Sequence, residues 1–169
     1  YEIGDALPDM TGGFRTSFRW KNFDFMLAAA YQIGGRQWDG NSANVYSPGR
    51  AGFTASQDLV GNTWTPEHTN AKFPKLMFNG TWNFVGSNCD YLYRDASYFS
   101  LKTINVGYTL PKRWTSKICI ESLRVFFAAD NLYFTSAHTG FDPRTAYAGQ
   151  NAFGFPQAKT FTFGITMNL

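Results

Sequence analysis

The last eleven residues, KTFTFGITMNL, constrain the fold most. From Thr160 onward, Thr160, Thr162, Gly164, Thr166 and Asn168 alternate with Phe161, Phe163, Ile165, Met167 and Leu169. Successive strand side chains point to opposite faces, so this alternation defines a β-strand with one polar and one apolar face. In a soluble sandwich the apolar set would meet a second sheet. In a membrane barrel it would meet lipid, with the polar set lining a wet lumen.

The same pattern recurs along the chain. In FRTSFRW, Phe14, Thr16, Phe18 and Trp20 share one face, and Arg15, Ser17 and Arg19 the other. The two residues Lys21 and Asn22 connect this segment to FDFMLAAAYQIG, where Phe23, Phe25, Leu27, Ala29, Tyr31 and Ile33 oppose Asp24, Ala28, Ala30 and Gln32. That is a tight hairpin. In SYFSLKTINVGYTL the apolar phase switches at Lys102-Thr103, which predicts a β-bulge that returns the apolar side to its original face. Pro111 ends that strand, and LRVFFAADN supplies a further one, with Arg124 on its polar side.

Five strands are therefore expected, joined by short, long, short and long connections. The long ones run over about residues 35–96 and 132–158, and the first shows no sustained periodicity. Membrane barrels have this asymmetry, with short turns on the periplasmic side and long loops outside. Aromatic residues fall where two interfacial girdles would lie. Trp20, Phe23 and Tyr108 are near the short turns, and Phe14, Tyr31, Tyr98 and Phe161 near the long loops.

Composition agrees with strands in lipid. The chain is 18% aromatic and only 16% charged, against the quarter to third expected of a soluble surface. Its mean hydropathy of −0.29 is that of a sequence in which lumen and loop residues dilute the lipid face. No apolar run reaches the roughly 18 residues of a membrane-spanning helix. The net charge of +3 is too small and scattered for a nucleic-acid partner. Cys89 and Cys119 fit no metal spacing, and the strand between them predicts that they are not bonded to each other. The sequence opens at Tyr1 without a leader, so any signal segment is expected to be removed or to lie upstream.

Five strands cannot close a barrel, and an open edge in lipid leaves backbone groups unpaired. The ordered series IGDALPDMTGGF, WKNFDF, WTPEH, FPKL, DASYFSLKTINVGYTLPKRW, LRVFFAADNLY, GFDPR and FPQAKTFTFGI resembles the C-terminal end of the SusC/RagA-type TonB-dependent outer-membrane transporters. The resemblance spans essentially the whole chain. It implies an all-β fold, an antiparallel transmembrane segment supplying about the last five of roughly 22 strands. It also implies that residues 1–169 form one C-terminal barrel part, with the plug domain and upstream strands outside this sequence. The implied function is outer-membrane import of oligosaccharides or peptides, energised by TonB through the N-terminal part. The implied partners are a SusD-like surface lipoprotein lid, the rest of the same barrel and outer-membrane lipid, with no cofactor. The alternative is a soluble lectin-like β-sandwich that binds carbohydrate through aromatic loop residues.

Candidate binding residues lie in the first long loop. Trp38, Tyr46 and Trp64 stand near Asp39, Asn41, Asn44 and Asn62, a mixture suited to ring stacking and directional hydrogen bonds with sugars or peptides. The competing reading is that these residues pack the loop itself. Arg15, Arg19 and Arg124 are expected on the lumen face, against an anionic ligand or plug carboxylates. His68 and His138 lack companions at metal spacing. Asp90 and Asp95 flank Arg94 as a local ion pair, and Lys112, Arg113 and Lys117 place a basic cluster in a short turn, near solvent or inner-leaflet headgroups. GFDPR reads as turn chemistry. No nucleophile elbow, phosphate loop or metal-ligand set supports an enzyme.

Overall fold

The computed structural model describes residues 3–46, 54–76, 90–116, 120–145, 150–151 and 155–168. Cys89, Cys119 and Lys117 lie outside these, as does the side chain of Asn44. The chain divides into two compact units, a sheet unit (Pro8–Gly34, Ala96–Thr139 and Pro156–Leu169) and a loop unit (Tyr1–Leu7, Gly35–Asp95 and Gly140–Phe155).

The sheet unit holds β1 (Met10–Trp20), β2 (Phe23–Ile33), β5 (Tyr98–Thr109), β6 (Ser122–Ser136) and β8 (Thr160–Asn168). They form one five-stranded sheet in the order β1-β2-β5-β6-β8. Every pairing in it is antiparallel. An 11-residue strand such as β1 rises about 36 Å along its length. Tilted by about 45°, it spans the roughly 25 Å apolar band of an outer membrane.

The pairing register carries one face across the sheet. Trp20 pairs with Phe23, and Phe23 with Tyr108. Phe25 pairs with Val106, Val106 with Phe127, and Phe127 with Phe163. Phe18 and Phe163 are 63% and 70% exposed. Facing side chains of a sandwich would be buried, so the lectin-like alternative gives way to the barrel wall.

The predicted bulge is present. Ala28 pairs with Thr103 and Ala29 with Leu101, leaving Lys102 without an opposite residue on β2. A second irregularity lies opposite: Leu101 pairs with Tyr133 and Thr103 with Asp130, and Asn131 takes a positive φ of 53°. Beyond that kink β6 continues to Ser136, so the strand extends past the expected start of the second loop at residue 132. The register also corrects the outer girdle. Tyr98 pairs with Gln32 and Ser136 on the polar face, where its ring lies 6.1 Å from Phe134. Phe99 and Tyr133 take the lipid side in its place, because Phe99 pairs with Tyr31 and Tyr133 with Leu101.

The loop unit is not structureless. β3 (Arg36–Asp39) pairs antiparallel with β4 (Tyr93–Asp95) and parallel with β7 (Gln150–Asn151). A short helix α1 (Gly40–Val45) follows β3 directly. Phe73, Leu92 and Phe141 are buried in this unit, with Leu92 fully so.

Candidate functional site

The polar face of the sheet is built around a charge pair that spans three strands. Arg124 on β6 reaches over β5 to Asp24 on β2, donating from Nε to Oδ1 at 3.0 Å and from Nη2 to Oδ2 at 2.5 Å. Nη2 also lies 3.4 Å from Asn105 Oδ1. Gly107, which pairs with Asp24, sits beneath this bridge. A Cβ there would collide with both the guanidinium and the carboxylate, so the bridge requires glycine at that position. Arg124 further lies 5.2 Å from the Phe126 ring, and Phe126 folds over Gly164 in the next strand. Two glycines thus let long side chains lie flat across the lumen face.

Two-point contact between guanidinium and carboxylate fixes orientation as well as charge. The pair retains about a third of its exposure on Arg124 and a quarter on Asp24, so solvent screens it. Arg124 therefore answers to a carboxylate within the wall itself. Arg19 pairs with Asp24 in the ladder, and Arg15 Nη2 lies 2.8 Å from Met26 Sδ. Near the bulge, Thr103 Oγ1 donates to Asp130 Oδ1 at 2.8 Å, holding the two strands where the ladder is interrupted.

The loop unit places the other predicted residues. Asp39 is buried and caps α1, accepting from Ser42 N at 3.1 Å and Ser42 Oγ at 2.5 Å, with Arg94 Nε 4.0 Å away. A side-chain oxygen at that position satisfies an N–H the helix leaves unpaired. Arg94, expected beside Asp90 and Asp95, stacks its guanidinium 4.7 Å from the Tyr91 ring, with its Nε 4.0 Å from Asp39 Oδ2. Tyr46 joins an aromatic cluster, its ring 5.0 Å from Phe73 and 6.3 Å from Tyr91. Its hydroxyl lies 3.3 Å from Asp58 Oδ2. Burial, and then the Asp58 carboxylate, push the Tyr46 phenol above its ordinary range. Trp38 lies half-buried in β3 between Tyr93 and Gln150. Asn41 lies in α1, and Asn62 Nδ2 donates to Asp58 O at 2.9 Å. Trp64 is the most open of the predicted aromatics, 37% exposed, on a segment bridged to Phe73.

Asp142 in GFDPR forms the expected turn. It accepts from Arg144 N and Nε through Oδ1 and from Nη2 through Oδ2, at 3.0, 2.9 and 2.7 Å. The Asp24–Arg124 bridge was not legible in sequence, because its partners are 100 residues apart. Its one signal was a glycine within an otherwise bulky strand.

A two-faced antiparallel sheet with an exposed apolar side, a charged lumen side and alternating short and long connections defines the wall of an outer-membrane β-barrel. The comparisons with known proteins agree. No family model matches the chain. It is 32% identical over 98% of its length to TonB-dependent receptor P3 of Formosa agariphila, and covers 17% of that protein. It is 25% identical over 94% of its length to TonB-dependent receptor SusC of Bacteroides thetaiotaomicron, covering 15% of it. Its fold matches the solved RagAB peptide importer in the closed-closed state, with a TM-score of 0.80, 24% identity, and coverage of 96% of this chain and 17% of that one. The open-open state matches with a TM-score of 0.78. Over nearly its whole length the chain matches a barrel segment of the TonB-dependent receptors of the bacterial outer membrane, of the SusC/RagA type. It spans about a sixth of the length of the curated relatives it matches.

Proposed function

We propose that this chain forms the wall and outer loops of an active importer that carries oligosaccharides or peptides across the outer membrane. The observation that carries this reading is the sheet's division into an exposed apolar face and a face crossed by the Asp24–Arg124 bridge. Such a wall separates lipid from an aqueous path. The open edges of β1 and β8 pair with the rest of the same barrel, since unpaired backbone in lipid is costly. Energy comes from TonB acting through an N-terminal part, and a SusD-like surface lipoprotein covers the long loops. The similarity to SusC and to the RagAB fold supports both assignments.

Trp38, Asp39, Asn41, Tyr46 and Trp64 remain the proposed ligand-side residues of the loops. Their roles differ by geometry. Asp39 and Tyr46 act by holding the loop in shape, whereas Trp64 offers an open ring face for stacking. Arg15 and Arg19 line the lumen beside the neutralised Arg124.

Uptake of labelled oligosaccharides and labelled oligopeptides by cells with and without the full-length receptor tests this reading. Import of one class, lost on deleting the receptor and on dissipating the proton-motive force, is the expected result. Equal uptake of both classes without the receptor would contradict it.

A further inference from the structure

The two short turns meet at one rim of the sheet. Asn22 donates from Nδ2 to Thr109 O at 2.6 Å and accepts from Thr109 N at 2.8 Å, which ties the β1–β2 turn to the end of β5. The short helix α2 (Lys112–Thr115) starts three residues later, within roughly 10 Å of chain. Each turn presents an exposed tryptophan with a cation against its ring. Lys21 Nζ lies 5.1 Å from the Trp20 ring centre, and the Arg113 guanidinium 5.6 Å from that of Trp114. Trp20 and Trp114 are both more than half exposed, and Lys112 is exposed beside them. Trp20 heads the lipid-facing row that continues through Phe23 and Tyr108, whose rings are 4.8 Å apart. Of the acidic groups at this end, Asp24 is committed to Arg124, which leaves Glu121 against Lys21, Lys112 and Arg113.

Tryptophan settles at the level of lipid headgroups, and cations on long stems extend from there toward phosphate. A cation over an indole stays near the ring while its remaining N–H donors are free for an anion. We infer that this rim is a binding site for the phosphate of an anionic glycerophospholipid. Lys21, Lys112 and Arg113 contact the phosphate, and Trp20 and Trp114 lie along the glycerol and upper acyl chain. Net charge favours phosphatidylglycerol over phosphatidylethanolamine, because the latter brings its own ammonium group to a site already rich in cations. This inference rests on the barrel-wall reading, which puts the short turns at the periplasmic leaflet.

The test uses the full-length receptor purified in detergent, with lipid retention counted by native mass spectrometry. Phosphatidylglycerol and phosphatidylethanolamine of matched acyl chains are supplied to the wild type and to the K21Q/K112Q/R113Q variant. Each cation near an anionic lipid contributes roughly fivefold. The wild type should therefore prefer phosphatidylglycerol, and the triple variant should lose on the order of a hundredfold of that preference. The K112Q/R113Q variant, altered only outside the sheet, should lose an intermediate share and serves if the triple variant does not fold. No preference in the wild type, or one unchanged in the variants, would overturn the inference. Displacement of the lipid by millimolar inorganic phosphate would overturn the lipid assignment and point to a soluble phosphate. Fractionation separates failure of the barrel wall from failure of the rim site. A receptor absent from the outer membrane defeats the barrel reading, whereas one present there without lipid preference defeats only the rim site.

Discussion

In the loop unit Phe73 and Leu92 are almost wholly buried, while in the sheet Phe18 and Phe163 are 63% and 70% exposed. The same residue types obey opposite rules because they answer to different solvents. The loop unit packs Phe73 against Tyr46 and Tyr91 and places Asp39 and Asp142 in a cap and a turn. The sheet pairs Asp24 with Arg124 on its polar face and carries Phe18, Phe127 and Phe163 on the exposed apolar one. Apolar exposure on the outer face of the sheet is therefore not a defect of packing. It marks the surface that the bilayer covers.

Truncating one phenylalanine in each region should sharpen this contrast. Phe73→Ala should cost about 3–5 kcal/mol of loop stability, since it removes both transfer energy and the packing around a cavity. Hydrogen exchange over residues 57–59 and 90–95 reads that loss. Phe163→Ala should cost about 2 kcal/mol or less, because lipid chains fill the gap and only the transfer part is lost. The unfolding midpoint of the folded barrel in lipid reads the second value, and equal losses at the two sites would break the comparison.

Charge should invert the ranking. Ile165→Arg, on the lipid face, should cost roughly 2–4 kcal/mol near the bilayer midplane. Arginine at neighbouring Thr166 points to the lumen and should cost less than about 1 kcal/mol, read by the same midpoint. The lumen bridge is of the same small order. Asp24→Asn should lose about 1 kcal/mol, in keeping with a partly exposed pair. Gly107→Ala should have a similar effect by forcing Arg124 and Asp24 apart, and the two variants combined should be less than additive. Trp64→Ala should change stability by no more than about 0.5 kcal/mol, while weakening substrate capture by the full-length receptor.

The contrast between the regions also explains what could be read from sequence. Alternation revealed all five wall strands and the bulge at Lys102, because a surface wetted differently on its two sides imposes a period of two. It failed where the ladder is irregular. Asn131, with its positive φ, breaks the alternation and hid the last residues of β6, through Ser136. Tyr98 was placed in the girdle by its position in the chain, although register turns it to the lumen. The loop unit gave less away, since β3 and β7 are four and two residues long, too short for a period to show. For Asp39 and Tyr46, residue type alone does not separate a group that orders the loop from one that meets a ligand. Polar and aromatic groups that order a long loop are of the same types that bind sugars and peptides.

The central claim is that the odd positions of β8 face lipid and the even positions face water. Spin labels at Phe163 and Thr162 of the full-length receptor, in lipid bilayers, test it directly through collision with oxygen and with a water-soluble nickel chelate. The label at Phe163 should be accessible to oxygen and shielded from nickel, and the label at Thr162 should show the reverse. Nickel access at Phe163 equal to that at Thr162 would contradict the barrel wall.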